Sequence, residues 1–128
     1  MISSGLVNVF THDMDAALAF YQGVLGLPES FRTPQDGTPE HVEMRAGDFV
    51  LAISTAGAAR RVHGLEATVG APAMTLVFWV DDVDAACEKI AAAGAAVVTA
   101  PHDAGNSNRN AVVSGPDGVL VELVSKRS

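Results

Sequence analysis

The sequence predicts an α+β fold made of two βαβββ units, on the strength of three internal matches. Leu6–Ala17, LVNVFTHDMDAA, lies over Thr75–Ala86, TLVFWVDDVDAA, at an offset of 69 residues. Glu40–Ser54, EHVEMRAGDFVLAIS, lies over Asn110–Val124, NAVVSGPDGVLVELV, at an offset of 70. Between them, Arg32-Thr33-Pro34 and Thr99-Ala100-Pro101 each close a short strand ahead of a polar loop. Three segments repeating in one order at nearly constant spacing mark a duplicated supersecondary unit. The chain of 128 residues then reads as one domain of two modules, about 1–54 and 74–128, joined by a linker at 55–73.

The first strand of each unit leads into an acidic helix start. Asp13 is placed to cap the first helix, because its carboxylate accepts otherwise orphan backbone N–H groups. Met14, Leu18, Tyr21 and Leu25 follow at helical spacing, and Gly26 supplies a left-handed stop. In the second helix Asp82 caps, Val83, Cys87 and Ile90 form the stripe, and Gly94 stops it. Cys87 therefore reads as a packed core residue. The turns Ala46-Gly47-Asp48 and Gly115-Pro116-Asp117-Gly118 sit between apolar runs, as hairpin loops do. The connector Thr55–Ala73, rich in Gly and Ala, reads as a lid or hinge, and His102–Asn110 as a second polar loop.

Composition narrows the partners. Apolar residues make up 48% and charged ones 18%, which excludes a disordered tail. The longest apolar stretches, Ala73–Val80 and Ile90–Ala100, fall short of the roughly 20 residues of a membrane helix. The opening MISSGLVNVF lacks a basic region and a cleavage-like segment, so no secretory signal is expected. A single cysteine suits a reducing compartment, and the expected localisation is cytoplasmic. Eight basic against fifteen acidic residues give a net charge of -7, which repels nucleic acid and favours a cationic small molecule.

Asp13–Leu27, DMDAALAFYQGVLGL, resembles the "D…A..FY..vLG" helix of the vicinal oxygen chelate superfamily, which includes glyoxalase I, extradiol dioxygenases and bleomycin resistance proteins. Gly115–Val124, GPDGVLVELV, resembles its "DPDG..iEl" hairpin, and Val80–Ala93 is similarly typical. The resemblance implies strands curled into a half-barrel around a cleft, helices outside, and a homodimer. It also implies metal ligands at four places, held here by Leu6, Ala52, Thr75 and Glu122. Leucine and alanine have no donor atom and threonine is a weak one, so no metal and no cofactor is expected.

Strand alternation names the side chains that share the ligand face. They are Leu6, Asn8 and Phe10; Val50, Ala52 and Ser54; Thr75, Val77 and Trp79; and Leu120, Glu122 and Val124. His41, Glu43 and Arg45 join them, with Val42 and Met44 turned towards the helix. Phe10 and Trp79, at equivalent repeat positions, either stack on a planar ligand or simply fill the sheet. Asn8 meets a ligand or water. Arg45 and Arg109 are the cations expected to reach a ligand. Glu122 is open to three readings: a structural hydrogen bond, a ligand anchor, or a general base raised in pKa by apolar neighbours. The function expected first is metal-independent sequestration of a small hydrophobic or aromatic molecule, in the manner of an antibiotic-binding resistance protein. The alternative is a metal-free isomerase, epimerase or lyase with Glu122 as acid or base.

Overall fold

The computed structural model describes residue 2 and residues 4–70, 75–105 and 107–127. It divides into two compact units, Met1–Gly70 and Ala71–Ser128. In the first, β1 (Val7–Thr11) leads into α1 (Met14–Leu18), which continues as a π-helical turn over Ala19–Val24. Then come β2 (Glu29–Thr33), β3 (His41–Ala46), β4 (Phe49–Thr55) and α2 (Ala56–His63). The second unit has β5 (Thr75–Trp79), α3 (Val83–Ala92), β6 (Ala96–Ala104), β7 (Asn108–Ser114) and β8 (Leu120–Lys126). Each unit is an open four-stranded mixed sheet, ordered β1-β4-β3-β2 and β5-β8-β7-β6. The first strand runs parallel to the last, and the other pairings are antiparallel. The α+β class with duplicated βαβββ units is what the repeat predicts.

Local chemistry explains the helices. Asp13 accepts from the Ala16 N–H at 3.0 Å, and Asp82 from the Ala85 N–H at 3.1 Å. Thr11 braces the first cap, taking the Asp13 N–H at 3.0 Å on its buried hydroxyl. Beyond Leu18 the helix widens to the π form, so the inward side chains are Met14, Ala17, Phe20 and Tyr21 rather than the evenly spaced set expected. In α3 the inward stripe is Val83, Cys87 and Ile90 as expected, and Gly94 takes φ 101°. Burial pushes the Cys87 thiol up, and the nearby Asp84 charge adds to the shift.

The sheets bury one face. Val42, Met44, Leu51 and Ile53 in the first unit are 0% exposed, as are Val113 and Val121 in the second. This leaves His41, Glu43 and Arg45 on the opposite side of β3, as alternation requires.

Three sequence expectations need correction. The connector at 55–73 contains α2, capped by Thr55, whose hydroxyl accepts from the Ala58 N–H at 3.1 Å, and stopped by Gly64 at φ 66°. The end of that connector, Ala73, lies outside the described residues. Thr99-Ala100-Pro101 does not close β6: register shifts carry the strand past the proline to Ala104. The expected polar loop at 102–110 is consequently a β-hairpin, with Asn106 outside the described residues. Finally, the uniform offset of 70 holds for β4 and β8 but not for β3 and β7. Arg45 pairs with Val50 across four residues, whereas Ser114 pairs with Leu120, the equivalent of Val50, across five, so the second hairpin carries one extra residue. The true equivalents of His41 and Glu43 are therefore Asn110 and Val112, each one position from the match made on sequence.

The face assignment gives a direct comparison. Met44→Ala should cost about 2–5 kcal/mol through its lost packing, while Arg45→Ala next to it should stay within about 0.5 kcal/mol; urea unfolding of both variants checks this.

Candidate functional site

The first unit holds a cavity of about 480 Å³ on the exposed face of its sheet. Asn8, Phe10, His41 and Ser54 line it from the strands, Thr33 and Pro34 from the end of β2, and Ala58, Val62 and Leu65 from α2 and just beyond. Ala59 packs inward and seats α2 on its unit, and Arg61 ties the helix to Glu40 through an ion pair at 2.7 Å. Arg61 and His63 line the same cavity, so the basic stretch at Arg60, Arg61 and His63 is more than a solvated patch. The volume lies within the range of small-molecule sites, and the lining mixes hydrocarbon from Phe10, Pro34, Ala58, Val62 and Leu65 with polar groups, Glu40 among them.

Those polar groups form a chain. His41 is opposite Ser54 in the β3–β4 ladder, and its Nδ1 is 2.7 Å from Ser54 Oγ. Its Nε2 is 2.9 Å from Glu43 Oε2, two residues along the same strand. Ser54 Oγ in turn donates to Asn8 Oδ1 at 3.0 Å. Both ring nitrogens of His41 are thereby engaged, which fixes the plane of the imidazole. Ser54 is only 7% exposed, while His41 and Glu43 keep about a quarter of their side chains accessible. Sequence reasoning placed Ser54 on this face without naming it as a site residue. The signal was present: counting outward from the two-residue turn Gly47-Asp48 sets His41 against Ser54.

The other expected residues fall as follows. Leu6 is exposed, and Ala52, fully buried, pairs with Asn8 on one side and Glu43 on the other. Arg45 is exposed at the far end of β3 and is absent from the cavity lining. In the second unit Thr75, Val77 and Trp79 share one side of the edge strand β5, all exposed. Trp79 is 62% exposed, with Lys126 Nζ 5.4 Å from its ring centroid. Glu122, between Val77 and Val112 in the ladder, accepts from Asn110 Nδ2 at 2.5 Å. Asn110 Oδ1 is buried without a partner among the described residues.

Arg109 requires a correction. It lies on β7 opposite Ser125, on the helix side of the sheet, and its guanidinium grips Asp84 of α3 at 2.6 and 2.9 Å. A third contact goes to Asp103 at 3.0 Å. Two carboxylates hold the fork, so Arg109 ties strand to helix and is not available to a ligand on the other face. Those contacts raise the Arg109 pKa and hold the Asp84 carboxyl below its usual range, the hydrogen bond from Arg109 being the largest cause.

The metal ligands implied by the resemblance do not fit this chain. Leu6 and Ala52 carry no donor atom, and Glu122 is the only strong one of the four. Among the described residues no three His, Cys, Asp or Glu side chains gather elsewhere to hold an ion.

Residues 4–123 match the Glyoxalase/Bleomycin resistance protein/Dioxygenase superfamily model. The chain belongs to that superfamily. CFP32 of Mycobacterium bovis, provisionally named a glyoxylase, is 34% identical over 119 residues, as is its Mycobacterium tuberculosis counterpart. That match covers 91% of this chain but only 41% of CFP32, so the chain spans about two-fifths of the length of these relatives. A glyoxalase-related enzyme from Fulvimarina pelagi shares the fold with a TM-score of 0.82 at 22% identity, over 98% of this chain and 89% of that one. TioX from Micromonospora sp. ML1 gives 0.78 at 25% identity, over 97% and 99%. Lactoylglutathione lyase from Agrobacterium tumefaciens gives 0.72 at 24%, over 98% and 95%.

The Arg109 clamp has a pH signature. Because the folded state lowers the Asp84 pKa, its contribution is complete above the ordinary carboxylate value of about 3.9 and is lost as pH falls through the lowered one. Asp84→Asn should therefore flatten the acid limb of a stability-against-pH curve, with no comparable effect near neutrality on its slope; thermal melts across the acid range measure it.

Proposed function

We propose that the protein binds a small, largely apolar and planar molecule without a metal ion, sequestering it as the bleomycin-resistance-type members of its superfamily do with antibiotics. The observation that carries this reading is the first unit's cavity, walled by Phe10, Pro34, Ala58, Val62 and Leu65, with the linked Asn8, Ser54 and His41 on its strand side and Glu40, Arg61 and His63 also in its lining. Phe10 offers a ring to a planar ligand, worth about 0.5–1.5 kcal/mol beyond its buried area. Glu43 and the net charge of -7 favour a cationic group on that ligand. In the second unit, taken by itself, Trp79 with its open indole face and Glu122 as an anchor for a cation or amide are the groups this reading offers to a ligand. Among the described residues no helix is long and apolar enough to cross a membrane. The reading places the protein in the cytoplasm as a homodimer, with edge strands available for pairing.

The glyoxylase name of the mycobacterial relative favours a second reading, a metal-free isomerase, epimerase or lyase using Glu122 as its acid or base.

Titration with planar cationic antibiotics, followed by tryptophan fluorescence and calorimetry, should give saturable one-site binding with less than stoichiometric divalent metal by elemental analysis. Phe10→Ala should weaken binding up to about tenfold, the size of one lost aromatic contact. Unchanged affinity in that variant counts against the cavity as the site. Turnover of the added compound that disappears in Glu122→Gln establishes the second reading instead.

A further inference from the structure

We propose that Ser54 is a nucleophile, activated by His41 and oriented through Glu43, and that the cavity cleaves small carboxylic esters with an apolar acyl or aryl group. The inference rests on the cavity being a ligand site, and it adds a reaction to it.

The distances are those an activated hydroxyl needs, although the Ser54 proton now lies towards Asn8 Oδ1. A weak nucleophile needs a base within about 2.6–3.2 Å, itself oriented by a third group. Ser54 Oγ is 2.7 Å from His41 Nδ1, and His41 Nε2 is 2.9 Å from Glu43 Oε2. With Nε2–H donated to the Glu43 carboxylate, Nδ1 is left as the lone-pair nitrogen facing the serine. All three residues come from the paired strands β3 and β4, so packing rather than a loop holds the spacing. Ser54, though 7% exposed, forms part of the cavity wall, so a molecule in the cavity is the partner it can meet. Asn8 supplies the fourth element. Its side-chain amide lies 3.0 Å from Ser54 Oγ. Turned over by 180°, that amide presents N–H where it now presents oxygen, which frees the Ser54 proton for His41 and leaves a donor beside the developing oxyanion.

The step balances without an oxidant or a metal. Ser54 Oγ attacks the ester carbonyl carbon, and its proton passes to His41 Nδ1. The tetrahedral intermediate collapses, the carbon–oxygen bond to the leaving group breaks, and the departing alkoxide or phenolate takes the proton from Nδ1. Water then attacks the acyl-Ser54 ester, gives its proton to Nδ1, and the carboxylic acid leaves as that proton returns to Ser54. Glu43 stabilises the imidazolium in both halves.

The test uses the intact protein and an alkyl fluorophosphonate, whose fluoride is displaced by an activated serine hydroxyl. Intact mass and peptide mapping should show one adduct, on Ser54, absent in Ser54→Ala. His41→Gln should lower the first-order labelling rate at saturating reagent by about 100-fold or more, the usual worth of a general base. A nitrophenyl ester of a short acyl chain should release phenolate in a burst matching the labelled fraction. Absence of the adduct, its appearance on another residue, or an undiminished rate in folded His41→Gln overturns the nucleophile. Saturable binding of the planar antibiotics in that same preparation would show that the binding reading survives on its own.

Discussion

Burial of one face of each sheet is the constraint from which everything else in the molecule follows. Val42, Met44, Leu51 and Ile53 are withdrawn completely from water, and each such side chain stabilises the fold by about 1.5–3 kcal/mol relative to exposure. A strand has a period of two, so this commitment dictates the orientation of the residues between them. His41, Glu43 and Ser54 have no freedom to choose a face. Their hydrogen bonds follow from the register that the core imposes, and the polar chain is as rigid as the ladder beneath it.

The same logic separates what the sequence made legible from what it did not. The duplicated unit, the Asp13 and Asp82 caps and the Val83, Cys87, Ile90 stripe were readable because each depends on residues close together in the chain. The face of β3 was readable because Val42 and Met44 alternate with polar residues. Arg109 was not. Its partners Asp84 and Asp103 come from other elements, and nothing in a run of Asn108, Arg109 and Asn110 says which side of the strand faces the helix. Here the reading of His102–Asn110 as a polar loop was decisive, because it left Arg109 free to reach a ligand, whereas β7 already begins at Asn108 and fixes its side. Helix α2 was hidden for a different reason. Gly57 and Gly64 suggested an open connector, whereas the first is tolerated near the helix start and the second, at φ 66°, ends the helix.

Corrected for the extra residue in the second hairpin, the two units can be compared position by position. The places of Asn8, His41, Glu43 and Ser54 are taken in the second unit by Val77, Asn110, Val112 and Val124. Three of the four places hold valines, and the fourth, Asn110 in the place of His41, donates to Glu122, which stands where the first unit has Ala52. Each arrangement is self-consistent. In the first unit the small Ala52 methyl lies between Asn8 and Glu43 in the ladder, beside the chain that runs through Ser54 and His41. In the second, the single carboxylate is flanked by Val77 and Val112 and leans on Asn110 alone.

That difference bears on what a duplicated fold can do where the implied metal donors are missing. The metal site that the resemblance implies takes ligands from both units, and Leu6 and Ala52, which carry no donor atom, remove the first from such a role whatever the second retains. Proton chemistry has no such requirement, because a base, a hydroxyl and an orienting carboxylate can all come from one pair of neighbouring strands. The first unit, which lacks the implied ligands altogether, is also the one whose strands carry the connected polar chain and whose α2 walls the cavity beside it. Polar groups placed on a buried-backed sheet must find partners or water. In this unit they have found one another, on the strand side of the cavity, where a ligand's own polar atoms would meet them.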